Sequence, residues 1–187
     1  MKKSSLFFTM LIAAASFQAC NSGESENKDS VDNAKEQNEA NNAVPEDDSK
    51  FMVKAASGGM MEVELGQLAQ QKAQHARVKE FGAMMVRDHT QANNDLKALA
   101  ANKNIALPAT LGEDHQKHVN ELREKSGADF DKAYMSMMVD DHKDDVDDFS
   151  SASDKGNDAD IKAFAAKTLP VLRTHLDSAQ AINDGVK

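Results

Sequence analysis

The 187-residue sequence has no tryptophan, one tyrosine, three prolines and a single cysteine. One cysteine excludes an intrachain disulfide framework and any all-thiolate metal site. Few prolines and few β-branched residues, against many Ala, Met, Leu, Lys, Glu and Asp, favour helix. No segment alternates with the two-residue period of a strand. Basic charge is also in deficit, the formal net charge being −9. Without a basic patch or aromatic residues set among Lys and Arg, nucleic acid is excluded as a partner. Acidity of this size suits a well-solvated surface and is compatible with cations. No serine stands in a nucleophile elbow or a triad order, so no catalytic residue is assigned.

Residues 1–19 open with two lysines and carry an apolar run from Leu6 to Ala15, followed by small residues. That is the pattern of a secretory signal, too short and too early for a stable membrane span. Its end, Ser16 to Ala19 before Cys20, resembles the lipobox of bacterial lipoproteins, which implies cleavage before Cys20 and lipidation of that residue. The partner implied is then a membrane, held through acyl chains on one cysteine. By resemblance to bacterial sorting rules, Asn21 after the cysteine implies the outer membrane of the cell envelope, on its periplasmic face or exposed at the surface. Residues 20–49 hold almost no large apolar side chain, so they read as a disordered acidic tether.

From residue 50 the pattern turns helical. Met52, Ala55, Gly59, Glu62, Gly66, Ala69 and Ala73 form one stripe, with Asp48 or Ser49 as the N-cap. A second stripe, Val78, Phe81, Met85, His89, Ala92 and Leu96, is out of phase with the first, which predicts a tight turn near Gln74 and His75. One continuous helix through that point is the alternative. A connection broken at Pro108 leads to a shorter polar helix over 111–126, closed by Gly127. The next stripe runs Phe130, Tyr134, Met138, His142 and Phe149, and the polar stretch 150–157 reads as a turn. A last helix carries Ile161, Phe164, Leu172, His175 and Ile182, with Pro170 predicted to kink or break it. The expected fold is all-α: an up-down bundle of four long helices plus one short helix over residues 50–187.

One phrase occurs twice. Residues 81–89 and 134–142 both place Met-Met-Val-x-Asp-His behind an aromatic, and from His89 to His142 the offset is 53 residues. Met85 and Met138 each precede their histidine by one helical turn and share its face. Glu62, His89, His142 and His175 each lie on the apolar stripe of a different helix. Buried ionisable groups need partners, and these four together would make a site of three nitrogens and one oxygen, suited to zinc, iron or copper. Asp88 and Asp141, each beside a histidine, are further ligands or acceptors for ring N–H groups. Met85 and Met138 would favour copper, since thioethers bind Cu(I), although methionines at helical spacing also serve as core filler. His115 and His118 form a further i, i+3 pair on the short helix, read as a partly exposed face. The acidic run Asp140 to Asp148 fails the calcium-loop pattern and reads as a solvated helix face.

Gly58-Gly59-Met60-Met61-Glu62, Met85-Val86-x-Asp88-His89, Phe130-Asp131-x-x-Tyr134 leading to His142, and Leu169-Pro170-x-Leu172-x-x-His175 occur in that order. In these motifs the sequence resembles a ferritin-like bacterial family catalogued as domain-of-unknown-function family 4142, whose members are labelled predicted outer membrane proteins. The resemblance spans roughly residues 50–185. It implies a ferritin-like bundle and brings no activity with it. No Glu-x-x-His occurs anywhere, which argues against a carboxylate-bridged di-iron centre. Two functions therefore stand side by side: a metal-binding bundle, or an envelope interaction module in which the buried His and Glu form a structural polar network.

Overall fold

The computed structural model describes residues 28–186, and six helices occur among them: α1 (Ser30–Asn41), α2 (Glu46–Lys72), α3 (Ala76–Lys103), α4 (Glu113–Arg123), α5 (Gly127–Lys155) and α6 (Ala159–Val186). The expected signal peptide and Cys20 lie outside the described residues. No strand is present among those described, and the fold is all-helical as the composition predicts. None of these helices is long and apolar enough to cross a membrane.

The long helices form two hairpins, α2 with α3 and α5 with α6. Contacts of α3 with α6 and of α2 with α5 join them into a bundle. The α2–α3 turn falls at 73–75, as the phase slip predicts, and His75 caps α3 by accepting the Arg77 N–H on Nδ1. Where the hairpin closes, backbone meets backbone: a Cβ at Gly66 would stand 2.7 Å from the Gly82 carbonyl oxygen, and one at Gly82 would stand 2.7 Å from the same atom of Gly66. Only glycine permits that approach, which offsets its cost inside a helix. The short α4 lies on α2 and α5, and α1 lies on α2.

Several boundaries differ from the sequence reading. The tether assigned to 20–49 does not hold over its second half, where residues 30–41 form α1 and α2 starts at Glu46. Apolar content misses α1 because polar side chains seat it. Asn38 donates its amide to the Ala106 carbonyl at 2.9 Å and accepts the Ala106 N–H at 2.7 Å. Ser30 Oγ accepts from Ala109 and Thr110, and Asp29 caps both α1 and the start of α4.

Asp48 and Ser49 lie inside α2 rather than at its cap. The Asp48 carboxylate reaches across to accept the N–H groups of Asn157 and Asp158 at the α5–α6 turn. Residues 150–155, expected as a turn, continue α5, so the turn is confined to Gly156–Asp158. Gly127 opens α5 at φ +58° instead of closing α4. Pro170 does not break α6, which runs unbroken from Ala159 to Val186. Its ring deprives the carbonyl of Ala166 of an N–H partner, and both residues are exposed, so water can take that place.

Two apolar clusters fill the interior. One gathers Met61, Leu65, Phe81, Met85, Phe130, Tyr134 and Met138; the other gathers Met52, Leu96, Phe149, Ile161, Phe164 and Leu172. On α3, α5 and α6 the histidine falls between a residue of one cluster and a residue of the other. The polar residues form a layer at mid-bundle.

Candidate metal centre

Glu62 on α2, His89 on α3, His142 on α5 and His175 on α6 are all buried, none more than 5% exposed. The helical stripe that buries Phe81 and Leu96 on α3 also buries His89, since i, i+8 and i+15 share a face. The same holds for His142 between Tyr134 and Phe149 on α5. Each long helix thus contributes one ionisable group to a single layer.

The three imidazoles meet there. His89 Nε2 and His142 Nε2 each stand 3.3 Å from His175 Nδ1. One ligand atom from each of the three histidines lies within 4.8 Å of the others. The outer nitrogens are all engaged with oxygens. His142 Nδ1 lies 3.0 Å from the Met138 carbonyl one turn earlier, His89 Nδ1 lies 2.7 Å from Glu62 Oε2, and His175 Nε2 lies 3.1 Å from Asp88 Oδ2.

This pattern fixes the tautomers of two of the three rings. A carbonyl oxygen only accepts, so His142 Nδ1 carries the proton and Nε2 is bare. Arg87 donates to both oxygens of Asp88 at 2.7 and 2.8 Å. Partial burial pushes the Asp88 pKa up, but Arg87 and His175 outweigh it and hold the carboxyl below its ordinary value. Asp88 is therefore ionised and accepts from His175 Nε2, leaving Nδ1 bare. The third outer nitrogen, His89 Nδ1, meets Glu62 Oε2, and with His89 as the donor of that pair three nitrogen lone pairs face one another. Burial also pushes the pKa values down from 6.5, to about 4 for His89, about 3 for His142 and about 4 for His175. At neutral pH the rings are uncharged, the state a metal ion requires. Three converging lone pairs with acceptor-fixed outer N–H groups are the arrangement metal-binding histidines adopt.

Glu62 stands apart from the trio. Its Oε1 lies 3.3 Å from His142 Nε2, and it groups with Asp141 and His142 rather than with all three rings. Burial first, then the Asp141 charge, push its carboxyl well above the usual range. Asp141 is likewise pushed up by burial, to about 6. The expected set of three nitrogens and one oxygen resolves into three histidines plus a carboxylate that orients one of them.

Asp88 acts as the acceptor foreseen for a ring N–H, but for His175 across the bundle rather than its neighbour His89. Met85 and Met138 are fully buried in the apolar cluster, and the link from Met138 to His142 is its backbone carbonyl. Of the acidic run, Asp140, Asp144 and Asp147 are exposed, whereas Asp141, Asp145 and Asp148 are part-buried, so the solvated-face reading holds for half of it. His115 and His118 do not join in a metal group among the described residues; His115 Nδ1 lies 2.7 Å from Ser57 Oγ. One participant went unread, the Met138 carbonyl, which no side-chain pattern marks.

The chain belongs to the family described as Domain of unknown function (DUF4142), whose model matches residues 33–182. Sequence comparison with curated proteins gives no match. Among solved structures, a DUF305 fragment from Deinococcus radiodurans is similar, with a TM-score of 0.66 and 9% identity, covering 75% of this chain and 97% of that one. CopM in its Cu(II)-bound form is similar with a TM-score of 0.64 and 14% identity, again over 75% of this chain and 97% of that one. At such identities the likeness concerns the fold.

Proposed function

We propose that this protein binds a transition metal ion, copper or zinc before iron, through His89 Nε2, His142 Nε2 and His175 Nδ1, with Glu62, Asp88 and the Met138 carbonyl fixing the rings. The observation that carries the reading is the engagement of all three outer nitrogens, which leaves three lone pairs converging at 3.3 Å contacts. An all-nitrogen set suits copper(II) and zinc better than the oxygen-preferring cations. The copper-bound CopM, a structural neighbour, supports metal binding on a fold of this kind. The ring of long helices is read as a ferritin-like bundle serving metal storage or sequestration. The lipobox-like end at Cys20 supports a lipid-anchored place in the cell envelope, at the outer membrane. Partition of wild type with membranes, and its loss in Cys20→Ser, tests that part.

Metal analysis of protein purified without chelator or affinity tag, together with melting in chelator and in added copper, zinc or iron, tests the site. Metal should raise the wild-type midpoint by mass action, on the order of 3 kcal/mol at a hundredfold excess over Kd. The gain should vanish in His89→Ala and His142→Ala. Equal losses with and without metal would make these residues a structural polar network.

A further inference from the structure

We propose that a second divalent cation, of the class that prefers oxygen donors, binds between Glu62 and Asp141 beside the histidine position. The proposal rests on the histidine reading for the role of Glu62 and adds Asp141 as a donor outside the trio.

Glu62 is 1% exposed, and its two oxygens have different tasks. Oε2 takes the His89 N–H at 2.7 Å, while Oε1 has no hydrogen-bond donor. Across from it, Asp141 Oδ2 is shielded from solvent and likewise receives no N–H, so the two carboxyl groups have only each other, through a shared proton or a cation. Glu62, Asp141 and His142 each offer a ligand atom within 4.8 Å of the others. The Tyr134 hydroxyl, on a residue with no exposed surface, is a third unpartnered oxygen, and the charges of Glu62 and Asp141 act on it. Of the four shielded side-chain oxygens without a hydrogen-bond partner among the described residues, two thus belong to one group of ligand atoms, and the third feels their charge. The fourth, on Asp148, lies against the Lys54 ammonium.

Buried polar atoms are rarely left unpaired, and clustered carboxylates need positive charge among them. No lysine or arginine is buried among the described residues, and Lys54, the cation whose charge reaches Asp141 and Asp145, is exposed and paired with Asp148. Asp145, one turn beyond Asp141, lines with Glu62 and His89 a cavity of about 20 Å³. That is room for one water on the Asp145 side of Glu62, and neither Asp141 nor His142 lines it. Carboxylate oxygens match manganese, magnesium or calcium. The bare nitrogens of the histidine trio match copper or zinc.

Each position has a residue the other lacks: His175 belongs only to the trio, Asp141 only to the carboxylate group. The full chain, wild type and variants, is dialysed against zinc and manganese(II) together. Ions per chain are counted by elemental analysis, and bound manganese is read by electron paramagnetic resonance. Wild type should hold one zinc and one manganese. His175→Ala should lose zinc and keep manganese; Asp141→Asn should keep zinc and bind manganese at least tenfold more weakly. The ion retained by each variant reports that it has folded. One zinc and no manganese in wild type overturns the second position and leaves the histidine position standing, whereas two zinc ions per chain, falling to one in Asp141→Asn, support it. Manganese without zinc does the reverse, and neither ion overturns both. If Asp141→Asn does not fold, wild type alone decides, because a ceiling of one ion of any kind per chain overturns the second position.

Discussion

His142 Nε2 stands 3.3 Å from His175 Nδ1, although the outer nitrogen of each ring already donates to an oxygen. Two helices of one hairpin therefore hold two acceptors against each other, a contact that a cation turns from repulsive to favourable. The carbonyl that orients His142 is part of the α5 backbone and cannot be lost by substitution. The acceptor for His175 is a side chain, Asp88, and can be.

Asp88→Asn should weaken metal binding about 10–100-fold, because removing the charge behind a ligating imidazole lowers its basicity and loosens its orientation. Asp88 is 24% exposed on its side chain, so the fold should be little affected. Competition with a chromophoric chelator gives the affinity. Unchanged affinity would mean that Asp88 does not position His175.

Titration of the layer gives a second prediction. The histidines have folded pKa values of about 3 to 4, below the unfolded value near 6.5. Their contribution to stability is complete above pH 6.5 and is lost as pH falls towards the folded values. Asp141 runs the other way, from 3.8 up to about 6 through burial, so its contribution is complete below about pH 4 and lost as pH rises through 6. In chelator, Asp141→Asn should therefore gain on wild type between about pH 4 and 6, with a constant difference above. After screening at a half-buried position the gain is on the order of 1–2 kcal/mol. Urea unfolding at pH 4, 5, 6 and 8 reads the difference, and parallel curves would show that Asp141 ionises freely in the fold.

The repeated Met-Met-Val-x-Asp-His phrase made His89 and His142 legible, because a 3.6-residue period alone decides that a histidine shares a face with buried aromatics. His175 and Glu62 were legible for the same reason. Partner choice was not. Asp88 and Asp141 occupy equivalent places in the two copies, yet one faces His175 and the other faces Glu62. That difference depends on which helix lies alongside, a matter of packing rather than period. The acidic run on α5 was opaque because charge dominated its reading, while every third or fourth aspartate turns inward. The helix α1 was invisible to any count of apolar residues.

That last case carries a stability prediction. Asn38 makes two hydrogen bonds to the backbone of Ala106, in the connection between α3 and α4. Asn38→Ala should cost roughly 1–3 kcal/mol, since it leaves both groups of Ala106 short of a partner. Asn38→Asp keeps the acceptor and loses the donor, and should fall between. Urea midpoints separate the three proteins. If Asn38→Ala matches wild type, α1 rests on the bundle without stabilising it.

The two hairpins clamp each other's turns. Asp131 on α5 accepts the N–H groups of Gln74 and His75 at the α2–α3 turn, the shortest at 2.8 Å. Asp48 on α2 accepts those of Asn157 and Asp158 at the α5–α6 turn, the shortest at 2.7 Å. Both carboxylates are buried, so no water stands ready to replace them when they are cut back. Each alanine substitution strands two backbone donors and should cost roughly 1–3 kcal/mol. The clamps sit at opposite ends of α2 and α5, far beyond the distance at which substitutions couple. The double variant Asp48→Ala/Asp131→Ala should therefore lose the sum of the single losses to within about 0.5 kcal/mol. A deficit well below the sum would mean that releasing one turn already frees the other, and that the hairpins move as one body. Guanidinium unfolding of the four proteins, with equal m-values as the check on two-state behaviour, distinguishes independent clamps from a shared one.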